Sequence, residues 1–135
     1  MKIFNDFTIE DIRDKELLKR LVDEESNQIF RNSSRGRSFE EVRSSVQQSK
    51  VAELYLVESG EYSFSDIKYH DLVNERNEIV EIKAYSSTEV LPTFVIKDIR
   101  KIQSSDWNKS QWYYYFGYHR GIYTLHQRIK VKTIE

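Results

Sequence analysis

Tyr69-His70-Asp71-Leu72-Val73, Asn74-Glu75-Arg76-Asn77 and Glu78-Ile79-Val80-Glu81-Ile82-Lys83-Ala84-Tyr85 form one consecutive stretch, and the rest of the chain can be placed around it. Two short apolar runs flank a polar segment containing two Asn residues. This is the pattern of two antiparallel strands joined by a tight connection. In the second run Val80, Ile82 and Ala84 alternate with Ile79, Glu81 and Lys83. Side chains two apart on a strand share a face, so Glu81 and Lys83 point together and away from Val80 and Ile82.

If Val73 pairs with Ile79, Leu72 falls opposite Val80 and Asp71 opposite Glu81. Directly opposed side chains in an antiparallel pair have Cβ atoms roughly 4.5–5.5 Å apart, and like charges there are destabilising. A divalent cation held between the two carboxylates would offset that cost. Hard oxygen ligands at this separation suit Mg²⁺, which keeps waters for chemistry. Lys83 would then lie beside that metal-bound water or beside a phosphate oxygen.

An Asp at the end of one strand followed by Glu-x-Lys in its neighbour, here Asp71 and Glu81-Ile82-Lys83, resembles the PD-(D/E)xK nuclease superfamily. His70 stands where that family often has Pro. The resemblance implies a restriction-endonuclease-like αβββαβ core, an α/β (α+β) fold with a mixed central sheet flanked by helices. It further implies that Asp71 and Glu81 bind Mg²⁺, with Mn²⁺ able to substitute, and that Lys83 orients or activates the water. The activity implied is Mg²⁺-dependent endonucleolytic cleavage of duplex or branched DNA. A small domain cutting both strands would act as a homodimer.

With 135 residues and 39% hydrophobic content, one domain is expected, spanning 1–135. Residues 1–38 form a helical N-terminal addition with an Arg/Ser loop, and 39–135 the catalytic core. The absence of Cys excludes disulfides and thiolate metal sites. No apolar run approaches the ~20 residues of a membrane span, and the N-terminus lacks a signal sequence. A soluble, cytoplasmic protein without membrane contact is expected. The net charge is −1, but it is unevenly spread: from Leu91 to Glu135 eight Lys or Arg face three acids. A polyanion could meet that basic third; a solvated charged face is the plainer alternative.

Thr8 suits a helix N-cap, and Ile9, Ile12, Leu17, Leu18, Leu21 and Val22 recur at helical spacing to about Phe30, with a break near Asp14. Residues Arg31 to Ser38 contain no apolar side chain and read as an exposed loop whose Arg35 and Arg37 either grip phosphates or are merely solvated. Ser38 and Glu41 match a capping box for a helix from Phe39 to about Ser59. On that helix Phe39, Val42, Val46, Glu53 and Val57 fall near one face. A carboxylate in line with valines is unexpected, since charged groups seldom face a core unless paired or metal-bound. In the resembled superfamily a helix Glu often joins the metal site; Glu53 fits that role, with Glu40 and Glu41 as rivals.

Glu61 to Ile67 supplies a further strand. Thr93-Phe94-Val95-Ile96 reads as a short strand, and Val95, Ile96, Ile99 and Ile102 then suggest a helix through about Ser105 that carries Lys97, Arg100 and Lys101. The aromatic run Trp112 to Phe116 and the segment Ile122 to Leu125 read as strands connected through residues 117–121, where Arg120 adds a cation. Arg128 to Lys132 alternates as a basic-faced strand. Gln111 and Tyr115 match a Gln-x-x-x-Tyr motif that belongs on a helix in some of the resembled families. Arg35, Arg37, Lys97, Arg100, Lys101 and Arg120 are the candidate DNA contacts. His70, His119 and His126 are too scattered for a zinc site. Two other readings stand beside the nuclease: a nuclease-fold module that binds DNA or protein without catalysis, and a structural domain in which Glu81 and Lys83 are neighbours on a solvated strand.

Overall fold

Leu72 pairs with Val80 and Val73 with Ile79, antiparallel, as the spacing predicts. The structure is a computed structural model describing residues 5–33, 36–65, 72–86, 93, 96, 97, 100 and 111–130. Asp71, His70, Arg35 and Lys101 lie outside the described residues. The hairpin turn is built by Asn74, whose side-chain oxygen accepts from the backbone N–H of Arg76 (3.0 Å) and Glu78 (2.9 Å). Asn77 takes the left-handed conformation (φ 62°) that Asn tolerates better than most residues.

A 3₁₀ turn (Ile9–Asp11) leads to helices α1 (Lys15–Ser33) and α2 (Phe39–Glu58), then strands β1 (Tyr62–Phe64), β2 (Leu72–Asn74), β3 (Ile79–Ser86), β4 (Trp112–His119) and β5 (Ile122–Lys130). The fold is α+β: the strands form one mixed sheet in the order β1-β2-β3-β4-β5. Among the described strands only β3 and β4 are parallel; the other neighbours are antiparallel. Parallel neighbours need a crossover connection, which runs through residues 87–111.

Two expectations need correction. Of the expected strand at 93–96, Thr93 and Ile96 have helical backbone instead, and Ile96, Lys97 and Arg100 are helical as the helix pattern from Val95 predicts. Its β-branched content pointed to a strand, but strand propensity yields to context, and Pro92 just before it suits a helix start. The β4–β5 connection is also shorter than predicted. β4 continues through Gly117, Tyr118 and His119, and only Arg120 (φ 49°) and Gly121 (φ 84°) turn. Two successive positive-φ residues fit the twist of a two-residue hairpin. Arg128 and Lys130 belong to the same strand as Ile122, and Gln111 with Tyr115 sits at and within β4 rather than on a helix.

Local chemistry sets the helix ends. Thr8 and Asp11 cap the 3₁₀ turn reciprocally, Asp14 accepts from Leu17 N–H at 3.0 Å to start α1, and Ser38 and Glu41 form the expected box on α2. Glu58, at the end of α2, accepts from the N–H of Arg13 (2.7 Å) and Asp14 (2.9 Å), fixing the approach to α1. Leu18 and Val22, four apart on α1, join Val42 and Val46 of α2 and Val80, Ile82, Tyr114 and Phe116 of the sheet in one buried cluster. Phe7 enters the same core. Its ring stacks between Tyr55 (3.9 Å) and Tyr123 (5.1 Å), while its backbone bridges Tyr123 at the β5 edge. Burying such a side chain contributes about 1.5–3 kcal/mol. No described helix is long and apolar enough to cross a membrane.

Candidate active site

Ser45, Ser49 and Glu53 are spaced four apart on α2 and therefore share a helix face. Glu81, Lys83 and Tyr85 alternate along β3. All six line one cleft of about 400 Å³, as do Tyr115 of β4 and Glu25 of α1. It borders β3 beyond Val80, the last residue with a described partner on β2. Glu53, Glu81 and Lys83, named separately from the sequence, thus meet around one space. The fourth, Asp71, lies outside the described residues.

Glu53 is 2% exposed, as its place among the valines predicts. Its carboxylate is held by Lys50, whose Nζ lies 3.1 Å from Oε1, and the same ammonium lies 3.5 Å from Glu25. The rivals stand elsewhere. Glu40 and Glu41 line an adjoining hollow of about 520 Å³ with Gln48 and Ser86, and a Glu41 carboxylate oxygen accepts from Ser38 N–H at 3.2 Å. Sequence reasoning missed Lys50, Glu25 and the two serines. The four-residue spacing of Ser45, Ser49 and Glu53 and the three-residue spacing of Lys50 and Glu53 were readable signals; Glu25 carried none, because another helix brings it in.

The carboxylates of Glu53 and Glu81 are hard oxygen donors of the kind Mg²⁺ and Mn²⁺ take. Among the described residues no group of three His, Cys, Asp or Glu could hold a metal ion. The third carboxylate that the sequence reading supplies is that of Asp71. Tyr85 closes one wall: burial pushes its hydroxyl above the ordinary range, so it stays a neutral phenol, and it lies 2.9 Å from His126 Nδ1. His126 occupies a β-bulge, since Tyr115 pairs with Gln127 but Phe116 with Leu125.

None of the four described DNA-contact candidates is among the residues lining the cleft. Gln48 of α2 donates to Ser86 of β3 (3.0 Å), so the start of α2, with Arg37 before it, extends past the Ser86 end of the sheet. Arg120 lies at that end too, because Ser86 pairs with Tyr118. Ser86 stands five positions along β3 from Glu81, about 16 Å. Lys97 and Arg100 are exposed. A third hollow, at the other end of β3, is lined by Trp112, Tyr114 and Arg128. Beside it Glu78 accepts from Asn74 (3.1 Å) and Trp112 (3.3 Å) and pairs with Lys130 (3.5 Å).

The chain matches no protein-family model, no curated protein and no solved structure.

Proposed function

We propose that the chain is a Mg²⁺-dependent endodeoxyribonuclease of the PD-(D/E)xK type on a restriction-endonuclease-like core. The observation that carries this reading is the shared cleft of buried Glu53 with Glu81 and Lys83. In the proposed site Asp71, Glu81 and Glu53 hold the ion, with Mn²⁺ as a substitute. When bound, Mg²⁺ supplies charge that polarises the scissile phosphate and acidifies the attacking water. Lys83 orients that water and stabilises negative charge gathering on the phosphate oxygens. The water oxygen bonds to phosphorus as the bond to the leaving oxygen breaks; the water's proton passes to solvent, which returns one to the leaving oxygen. Arg35, Arg37, Lys97, Arg100, Lys101 and Arg120 would contact the DNA backbone, and two copies would cut both strands.

The test is incubation of the protein with supercoiled plasmid and with a branched DNA, in Mg²⁺, in Mn²⁺ and in EDTA, beside Lys83→Ala. Metal-dependent cutting that Lys83→Ala loses is the expected result. A wild-type protein that cuts neither DNA in either metal overturns it. The second reading, a non-catalytic binding module, is favoured by the Lys50–Glu53 pair, which satisfies the buried carboxylate without any metal; it predicts DNA binding without cutting.

A further inference from the structure

We propose that the hollow at the Trp112 end of the sheet is a binding site for a guanine base. It shares no lining residue with the cleft of Glu53, Glu81 and Lys83, so the inference stands apart from the nuclease reading and involves no metal ion.

Strand register builds the site. Trp112 lies directly opposite Lys130 and Tyr114 opposite Arg128, and residues two apart on a strand share a face. The Arg128 guanidinium therefore stands over both rings, 5.9 Å from the centre of Trp112 and 5.6 Å from that of Tyr114. Trp112 and Tyr114 are nearly perpendicular (89°), as are Tyr114 and Tyr62 (81°), so the rings form walls rather than a stack. Hydrogen bonds fix those walls: the Trp112 indole donates to Glu78 at 3.3 Å, and the Tyr62 and Tyr114 hydroxyls bond at 2.8 Å. The hollow they border holds about 390 Å³, within the range of small-molecule sites.

A guanidinium plane backed by aromatic rings gives any base a surface on which to stack. The polar lining narrows the choice. Guanine has two acceptors on one edge, N7 and O6, the pair that an arginine fork meets. Its neighbouring edge carries the N1 and N2 donors, which fit a carboxylate. The hollow supplies both partners: Arg76, exposed on the β2–β3 turn, and the carboxylates of Glu61 and Glu75. Adenine would turn an amino group toward Arg76 where guanine has O6, and uracil would turn carbonyl oxygens toward the carboxylates.

The indole itself reports occupancy, since Trp107→Phe leaves Trp112 as the remaining tryptophan. In that background, with EDTA present, GMP should quench the fluorescence saturably and bind about tenfold more tightly than AMP or UMP. Arg128→Met should weaken all three nucleotides about tenfold, because the stacking surface is lost. Arg76→Gln, and separately Glu61→Gln with Glu75→Gln, should bring GMP down to the affinity of AMP while quenching persists. A short single-stranded oligonucleotide with one guanine that binds more tightly than GMP makes a strand the source of the base; equal or weaker binding makes it a free nucleotide. No saturable quenching by either, or equal affinities for GMP, AMP and UMP, overturns the proposal. Should Arg128→Met fail to fold, Arg76→Gln decides: an unchanged preference for GMP overturns the readout. Because EDTA removes any metal, these titrations and the cutting assay fail independently.

Discussion

Gly117→Ala tests how the wall of the cleft is held. Gly117 lies in β4, opposite Tyr85 of β3 on one side and Thr124 of β5 on the other. A Cβ built there would collide with Cε1 of His126 and stand 2.8 Å from Nδ1 and 3.1 Å from Nε2 of the same ring. The ring cannot simply yield, because it sits in the bulge of β5 and its Nδ1 meets the Tyr85 hydroxyl at 2.9 Å. Overfilling a packed site costs about 1–3 kcal/mol, and losing the hydrogen bond about 0.5–1.5 kcal/mol. The narrower unfolded ensemble of Ala returns about 0.4–1 kcal/mol. The net loss is about 0.5–4 kcal/mol, or roughly 2–14 °C in unfolding temperature for a domain of this size. Urea and thermal unfolding of Gly117→Ala, His126→Ala and the double variant form the assay. With the ring removed, alanine at 117 should be neutral or stabilising, so the cycle should show a favourable coupling of about 1–3 kcal/mol. A Gly117→Ala protein as stable as wild type, or strictly additive losses, would refute the account of Gly117 as the seat of the His126 ring.

The Asn74 amide, then the Trp112 indole and Lys130, hold the Glu78 carboxyl below its ordinary value of 4.5. A carboxyl depressed by folding contributes stability that is complete above the unfolded value and fades as pH falls through the folded one. The stability difference between wild type and Glu78→Gln, read by urea unfolding, should therefore be largest near neutrality and shrink below about pH 4.5; a difference constant with pH would refute the assignment. Arg120→Asn should stabilise the turn by about 0.5–1 kcal/mol, since Asn accepts positive φ more readily than Arg. If Arg120 also touches phosphate, that variant should bind DNA more weakly with a flatter salt dependence, as should Arg37→Glu, by about one unit of slope for each phosphate no longer neutralised. Salt dependences parallel to wild type would remove both residues from the interface.

Much of the fold was legible because short-range chemistry wrote it. The register of the β2–β3 hairpin followed from two apolar runs and the Asn-rich turn between them, and the start of α2 from Ser38 and Glu41. Where a residue's partner was distant, local reading went astray. Thr93 to Ile96 looks like a strand by composition, and Gly117 looks like a turn residue. The first belongs to the crossover that the parallel β3–β4 pair demands, and the second makes room for a ring from the next strand. The candidate site divides in the same way. Glu53, Glu81 and Lys83 were singled out by periodicity and spacing, while Glu25 was not.

By itself, the sequence determined which residues could carry chemistry, because a carboxylate in a valine stripe and a Glu-x-Lys on an alternating strand are local anomalies with a local period. Only the tertiary structure decided that they share a cleft, that Glu53 rather than Glu40 or Glu41 lines it with Glu81, and that Lys50 and Glu25 bind Glu53 into a charge network. Those facts depend on how α1, α2 and β3 pack. Packing is fixed by burial of the whole apolar surface at once, and no single segment encodes it.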